Sequence, residues 1–187
     1  MGSALEAAAL YPVDGGRACA AAFLLESQRP LREVAKLLEG RGCTLVLFRP
    51  ELVVSPLHLV AAVDYALAAR RLGRGVARSL HVEAFLFAAA TSEISRALEL
   101  FNPDMDGGVA AAVLVASGEG ECLEALRALG ELGAQVRPLP RSEAAARVLA
   151  RELEVGESEV EATYAADFVA AVEKCVLSRM TLEFLSR

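Results

Sequence analysis

The sequence predicts an α+β fold. Its sheet is one mixed sheet of about four strands, built from two strand-helix-strand units, with a helical subdomain inserted between them and helices closing the chain. Three observations carry this reading. Apolar runs of strand length stand at residues 18–25, 43–48, 109–116 and 134–139. A segment with helical spacing separates the first run from the second, and another separates the third from the fourth. Between the two units, residues 55–102 hold three helical patterns in a row, too many for a simple crossover between strands.

The elements follow in order. Asp14-Gly15-Gly16 is a turn signal, and residues 1–17 read as a flexible leader. The run ACAAAFLL then gives a buried strand. Leu31, Val34, Ala35 and Leu38 recur at helical spacing, after Pro30 and before Gly40-Arg41-Gly42. Cys43 to Phe48 is apolar and β-branched, hence a second strand. Ser55-Pro56 offers an N-cap with proline at the first helical position, and Gly73 stops that helix. Residues 73–79 form a basic connection. A second insert helix starts near Leu80, and a third starts near Thr91 or Ser92. In the third, Ile94, Ala97, Leu98 and Phe101 share a face, and Asn102-Pro103 ends it.

Val109 to Ala116 returns to strand. Cys122, Ala125, Leu126 and Leu129 mark a helix closed by Gly133. Pro138 and Pro140 push the short run from Ala134 to Leu139 toward a sheet edge. Ser142 caps a further helix. Ser158-Glu159-Val160-Glu161 matches a capping box. It opens a long helical stretch, broken once, through Tyr164, Phe168, Val172, Val176 and Met180. Residues 18–187 are expected to form a single domain with the helical insert at about 55–102.

Composition bounds the function. The chain has 187 residues, 55% of them hydrophobic, and a net charge of −6. That suffices for a core and argues against disorder. An acidic balance disfavours a bulk nucleic-acid coat or an anionic-membrane binder. Mean hydropathy is +0.39, yet charged residues interrupt every long apolar stretch, so no membrane span is expected. No secretory signal stands out, and a cytoplasmic location is expected.

Catalytic signals are thin. The two histidines, His58 and His81, have no neighbouring nucleophile in an elbow motif. Cys19, Cys43, Cys122 and Cys175 form no C-x-x-C pair and read as small buried hydrophobes. Asp104 and Asp106 lie in a Gly-rich turn but lack the further oxygens of a cation loop. Ser117-Gly118-Glu119-Gly120-Glu121 sits where a phosphate loop would, between strand and helix. It carries acids instead of lysine. No enzyme, metal site or cofactor is expected.

The basic cluster is distinct. Arg70, Arg71, Arg74 and Arg78 fall within nine residues that contain no acid. Guanidinium groups make forked bonds to phosphate oxygens, although arginine at a helix C-terminus also satisfies the helix dipole.

The stretch VVSPLHLVAAVDYALAARRLGRGVARSLHVEAFLFAAATSEISRALELF resembles the PRPK-binding protein family, the small kinase-binding subunit of the KEOPS (EKC) complex, in its archaeal type. The resemblance rests on His58 with Ala61, Ala62 and Ala66, and on the basic connector Arg70 to Arg78. It continues in Glu83 ahead of Phe85-Leu86-Phe87, and in Thr91 with Ile94, Ala97 and Leu98. The ending VEKCVLSRMTLEFL is similar to the family's closing helix, through Val176, Leu177, Arg179, Met180 and Leu182. Ser92-Glu93 depart from the Arg-Gln that the family usually has there, which removes a positive charge beside that helix start.

The resemblance implies a non-catalytic subunit of the complex that installs threonylcarbamoyl on tRNA adenosine. Such a subunit binds and stimulates the complex's kinase/ATPase and helps capture the tRNA 3′ end. The threonylcarbamoyl transferase subunit is then an indirect partner. It also implies a tRNA contact at Arg70, Arg71, Arg74 and Arg78. The kinase contact is expected at Ile94, Leu98, Val176, Leu177 and Met180. Two other classes compete: a small nucleotide-binding α/β enzyme using the loop at 117–121, and an oligomerisation module.

Overall fold

A computed structural model describes residues 7–187; the start of the expected leader lies outside the described residues. In chain order the elements are β1 (Ala9–Val13), β2 (Ala18–Glu26), α1 (Leu31–Glu39), β3 (Thr44–Phe48), α2 (Pro56–Arg71), α3 (Leu80–Ala88) and α4 (Ile94–Phe101). They continue with β4 (Val109–Ala116), α5 (Glu119–Glu131), β5 (Gln135–Arg137), α6 (Glu143–Glu152), α7 (Glu157–Ala162) and α8 (Phe168–Ser186). Two compact units divide them. One takes the chain up to Pro50 together with Pro103–Leu139, and the other takes Glu51–Asn102 with Pro140–Arg187.

The first unit is a five-stranded sheet in the order β1-β2-β4-β3, with β5 sharing the β1 edge of β2. Every pairing is antiparallel, so the expectation of a mixed sheet is corrected. The reason is topological. The two strands of each strand-helix-strand unit are parallel to each other but are not neighbours. Strand β4 separates β2 from β3, and β2 separates β4 from β5, in the split β-α-β pattern. Within the expected leader, residues 9–13 form β1 in register from Ala9↔Ala22 to Val13↔Ala18. Pro12 interrupts the short run Ala9–Val13 and masks a strand signal there; pairing to a central strand supplies what local propensity does not.

Helices α1 and α5 cover one face of this sheet. Leu31, Val34 and Leu38 of α1, with Cys122, Leu126 and Leu129 of α5, pack on Phe23, Leu25, Leu47 and Leu114. Many alanines on β2 and β4 keep that face flat enough for close helix packing. Gly108 is required where β4 begins, since a Cβ there would stand 2.6 Å from the Ser27 carbonyl oxygen. Strand β5 pairs with β2, from Leu24↔Arg137 to Glu26↔Gln135, and Pro138 ends it there.

The second unit is all helical. The expected insert does not stand by itself: the C-terminal helices belong to the same unit. Leu59 and Val63 of α2, Leu86 and Phe87 of α3, Phe101 of α4, Leu149 of α6 and Val172 of α8 are all buried. Tyr65 packs with Phe87 and Phe184 at centroid distances of 5.7 and 5.2 Å, and its hydroxyl meets Thr181 Oγ1 at 2.7 Å. Ser55 caps α2 by accepting the His58 N–H at 3.1 Å, as its position before Pro56 predicts.

The Ser158 capping box is corrected. Gly156 occupies the N-cap of the short helix α7, without a side-chain cap, and the chain breaks after Ala162. Helix α8 restarts with its own cap, in which Asp167 Oδ1 accepts the Ala170 N–H at 2.7 Å. That bond and the Arg141 guanidinium hold the Asp167 carboxyl below its ordinary range. Likewise α4 begins at Ile94, with Glu93 at its N-cap, slightly later than the Thr91 start expected.

Candidate binding surfaces

The basic connection belongs to the second unit, between α2 and α3. Helix α2 stops because Gly73 takes a φ of +70°, a conformation residues with a Cβ rarely adopt. The chain then folds back on the helix end. The Arg70 guanidinium donates to the Arg78 carbonyl at 2.6 Å and to the Ala77 carbonyl at 3.5 Å. Gly75 packs on the Arg70 stem, where a Cβ would stand only 3.3 Å from Cγ.

Glu83, in the first turn of α3, anchors the far side of the connection. It is fully buried. Its Oε2 accepts the Ala77 N–H at 2.6 Å, and its Oε1 meets the guanidinium of Arg187, just past the last turn of α8. Arg187 also donates to Glu183 Oε1 at 2.9 Å and to the Thr91 carbonyl at 3.4 Å. Its guanidinium lies 4.2 Å from the centroid of the Phe87 ring. A buried carboxylate thus gains both a charge partner and a backbone donor, which its burial demands.

The four arginines therefore differ. Arg70 is engaged by the carbonyls of its own loop. Arg71, Arg74 and Arg78 are exposed, Arg74 and Arg78 on the connection itself. These two are the cations that the fold presents to a polyanion most directly.

The residues expected to touch a kinase also separate. Ile94 is 41% exposed at the start of α4. Leu98 and Leu177 are half-buried. Val176 and Met180 are buried in the helical core, which corrects their assignment to a contact surface. They continue the inward stripe of Val172 at steps of four, and a stripe that fills a core has nothing left to offer a partner. Leu182 and Leu185 fall off that stripe and are 66% and 68% exposed. They lie three apart, on one face of α8, and that off-stripe position is the sequence signal which marks them. Arg179 of the closing motif turns out to be structural. It donates to the Leu153 and Glu154 carbonyls at the end of α6 and to Glu159 Oε2 at 2.7 Å, which satisfies orphan carbonyls and holds Glu159 ionised below its ordinary range.

The remaining candidates carry no assembled chemistry. His58 is buried, with Nε2 3.2 Å from the Ala88 carbonyl; its ring meets Phe101 edge-on at 5.8 Å. Burial lowers its pKa to about 4. His81 is half-buried in the first turn of α3. At the loop 117–121, Gly118 precedes α5, and a Cβ there would stand 2.9 Å from Glu121 Oε2. The helix's own acid therefore covers its N-terminus. The adjoining hollow of about 360 Å³, between that loop and β1, has Glu119 but no cation in its wall, an arrangement that repels phosphate.

The turn at residues 103–107 is internally satisfied. Asp104 Oδ1 accepts the Asp106 N–H at 3.0 Å, and Asp106 pairs with Arg32. Among the described residues, no group of three or more His, Cys, Asp or Glu side chains could hold a metal ion. All four cysteines are reduced and buried. Burial first, and then the neighbouring Cys19, pushes the Cys122 thiol up to about 12, so it is a poor nucleophile. Among the described residues, no helix is long and apolar enough to cross a membrane.

Two comparisons bear on this arrangement. The model of the kinase binding protein CGI-121 family matches residues 30–183, spanning both units. No curated protein matches the chain.

Proposed function

The chain belongs to the CGI-121 family of kinase binding proteins, and from that premise we propose that it is a non-catalytic subunit of the KEOPS tRNA threonylcarbamoyladenosine-modification complex, acting in the cytoplasm. It binds and stimulates the complex's kinase/ATPase, and through that kinase it meets the threonylcarbamoyl transferase. It helps capture the tRNA 3′ end through Arg74 and Arg78, with Arg71 beside them and Arg70 shaping the loop.

The observation that carries the reading is the apolar surface left open on the helical unit. Leu182 and Leu185 on α8 are largely exposed, as is Ile94 at the start of α4. Leu182 and Leu185 lie three apart on one face of α8, while the bond from Arg187 to the Thr91 carbonyl ties the end of α8 to the segment that leads into α4. Exposed aliphatic side chains on one helix face suit a protein interface.

The test is co-purification with the kinase. Leu182→Glu/Leu185→Glu should lower kinase capture by about tenfold or more, the scale of an interface hot spot. Its circular dichroism and thermal unfolding should match the parent chain, because neither side chain is in the core. Undiminished capture by this double variant would overturn the reading.

A further inference from the structure

Helix α1 of the first unit has an outer stripe that neither surface above uses. Glu33, Lys36 and Leu37 of α1 and Gly40 at its C-cap follow one another at steps of three, one and three, on one side of the helix, and Arg29 and Arg41 flank its two ends. They line an open groove of about 530 Å³. Leu37 is 44% exposed on its floor. Three cations stand against one acid there, in a chain whose net charge is −6. Arg32 pairs with Asp106, and Arg137 with Glu26. Arg29, Lys36 and Arg41 are exposed.

The complement of this groove is present on the same chain. From Glu152 to Glu161 the sequence holds five acids, and no base follows until Lys174. Glu152 and Glu159 are held by Arg96 and Arg179. Glu154, Glu157 and Glu161 are exposed on and around α7. Just after that helix stands Tyr164, 95% exposed. The Lys174 ammonium lies 5.8 Å from the centroid of the Tyr164 ring, and the ring's other face is left to water; an exposed aromatic ring suits an anchor, since such side chains are enriched in interface cores. The groove residues and the anchor are all exposed, and their charges are opposite.

We propose that the acidic, tyrosine-tipped segment 154–164 of one copy docks into the α1 groove of a second copy of this chain. Tyr164 lies against Leu37, and Glu157 and Glu161 face Lys36 and Arg41. The proposal does not depend on kinase or tRNA binding.

Sedimentation analysis of the full chain tests it. At about 100 µM protein and about 20 mM salt, the weight-average mass should exceed the 19.7 kDa of the monomer, and at about 500 mM salt it should return to it, because exposed ion pairs are screened. Lys36→Glu/Arg41→Glu and Glu157→Lys/Glu161→Lys should each be monomeric at low salt. Their equimolar mixture should associate again, since the reversed charges then match across copies. A parent chain that stays monomeric at low salt overturns the proposal. So does a Lys36→Glu/Arg41→Glu variant that associates like the parent, or a mixture that fails to restore association.

Discussion

His58 illustrates how a residue that invites a catalytic reading is consumed by structure. Its Nε2 lies 3.2 Å from the Ala88 carbonyl and so carries the proton. Nδ1 has no partner among the described residues. The ring is therefore a neutral donor inside an apolar shell, and burial holds its pKa at about 4. In the unfolded chain the same group titrates near its ordinary value of about 6.5. Above that value neither state binds the proton, and the native state keeps its full stability. As pH falls toward 4, the unfolded chain takes up a proton that the folded one refuses, so stability is lost over that window. The loss between about pH 7 and about pH 5 should be roughly 2 kcal/mol from this group. His58→Gln keeps an amide donor for Ala88 and removes the titration. Denaturant unfolding at the two pH values should give it a flatter dependence by about that amount, and an unchanged dependence would refute the assignment. The structural role of His58 was legible in the sequence, from its place on an amphipathic helix without a nucleophile nearby. The burial of Val176 and Met180 was legible too, had the inward stripe been followed to its end. The buried ion pair of Glu83 with Arg187 was not, because 104 positions separate its partners.

That pair governs the shape of an element, the connection from α2 to α3. Glu83 holds the Ala77 N–H with one oxygen and Arg187 with the other. Arg187 is almost wholly enclosed, so removing the Glu83 charge leaves a cation in a low-dielectric site with Glu183 as its one remaining carboxylate among the described residues. Glu83→Gln retains an oxygen for Ala77 but should destabilise the chain by about 3 kcal/mol, the scale for breaking a buried pair. Adding Arg187→Met, which fills the space over Phe87 without charge, should recover much of that loss. Urea unfolding of the two variants checks both signs, and a double variant no more stable than Glu83→Gln alone would contradict the account. At this scale most helices and strands could be read from apolar period and from Gly, Pro and Ser punctuation. Ser55, Gly73 and Ser142 all act as that punctuation predicts. What failed was chemistry that looks local but is decided by tertiary contacts. Strand β1 is specified by its pairing with β2. Ser158 has the spacing of a capping box, yet Gly156 starts the helix, because Arg179 and the exit from α6 fix where the chain turns.

At the scale of the molecule, periodicity identified the two strand-helix-strand units but not their interleaving, since which strand lies beside which is a long-range choice. For the same reason the sequence did not show that the insert and the C-terminal helices form one unit. The charge distribution was legible: an acidic chain with one basic connection. It separates the proposed activities by their response to salt. A kinase contact made by Leu182, Leu185 and Ile94 is apolar, so capture should persist when salt rises from about 50 to about 500 mM. A contact between exposed arginines and RNA phosphates releases counterions, and for single strands log affinity falls with log salt by about 0.7 per phosphate neutralised. With two to four arginines engaged, the slope for a single-stranded tRNA 3′ end should lie between about −1.4 and −2.8. Arg74→Ala/Arg78→Ala should weaken binding at low salt and make the slope shallower by about 1.4. Arg70 must be left in place, because its guanidinium holds the loop carbonyls and its loss would confound shape with charge. Fluorescence anisotropy across a salt series measures both quantities. A slope that the double variant leaves unchanged would place the RNA contact elsewhere on the chain, whatever its total affinity.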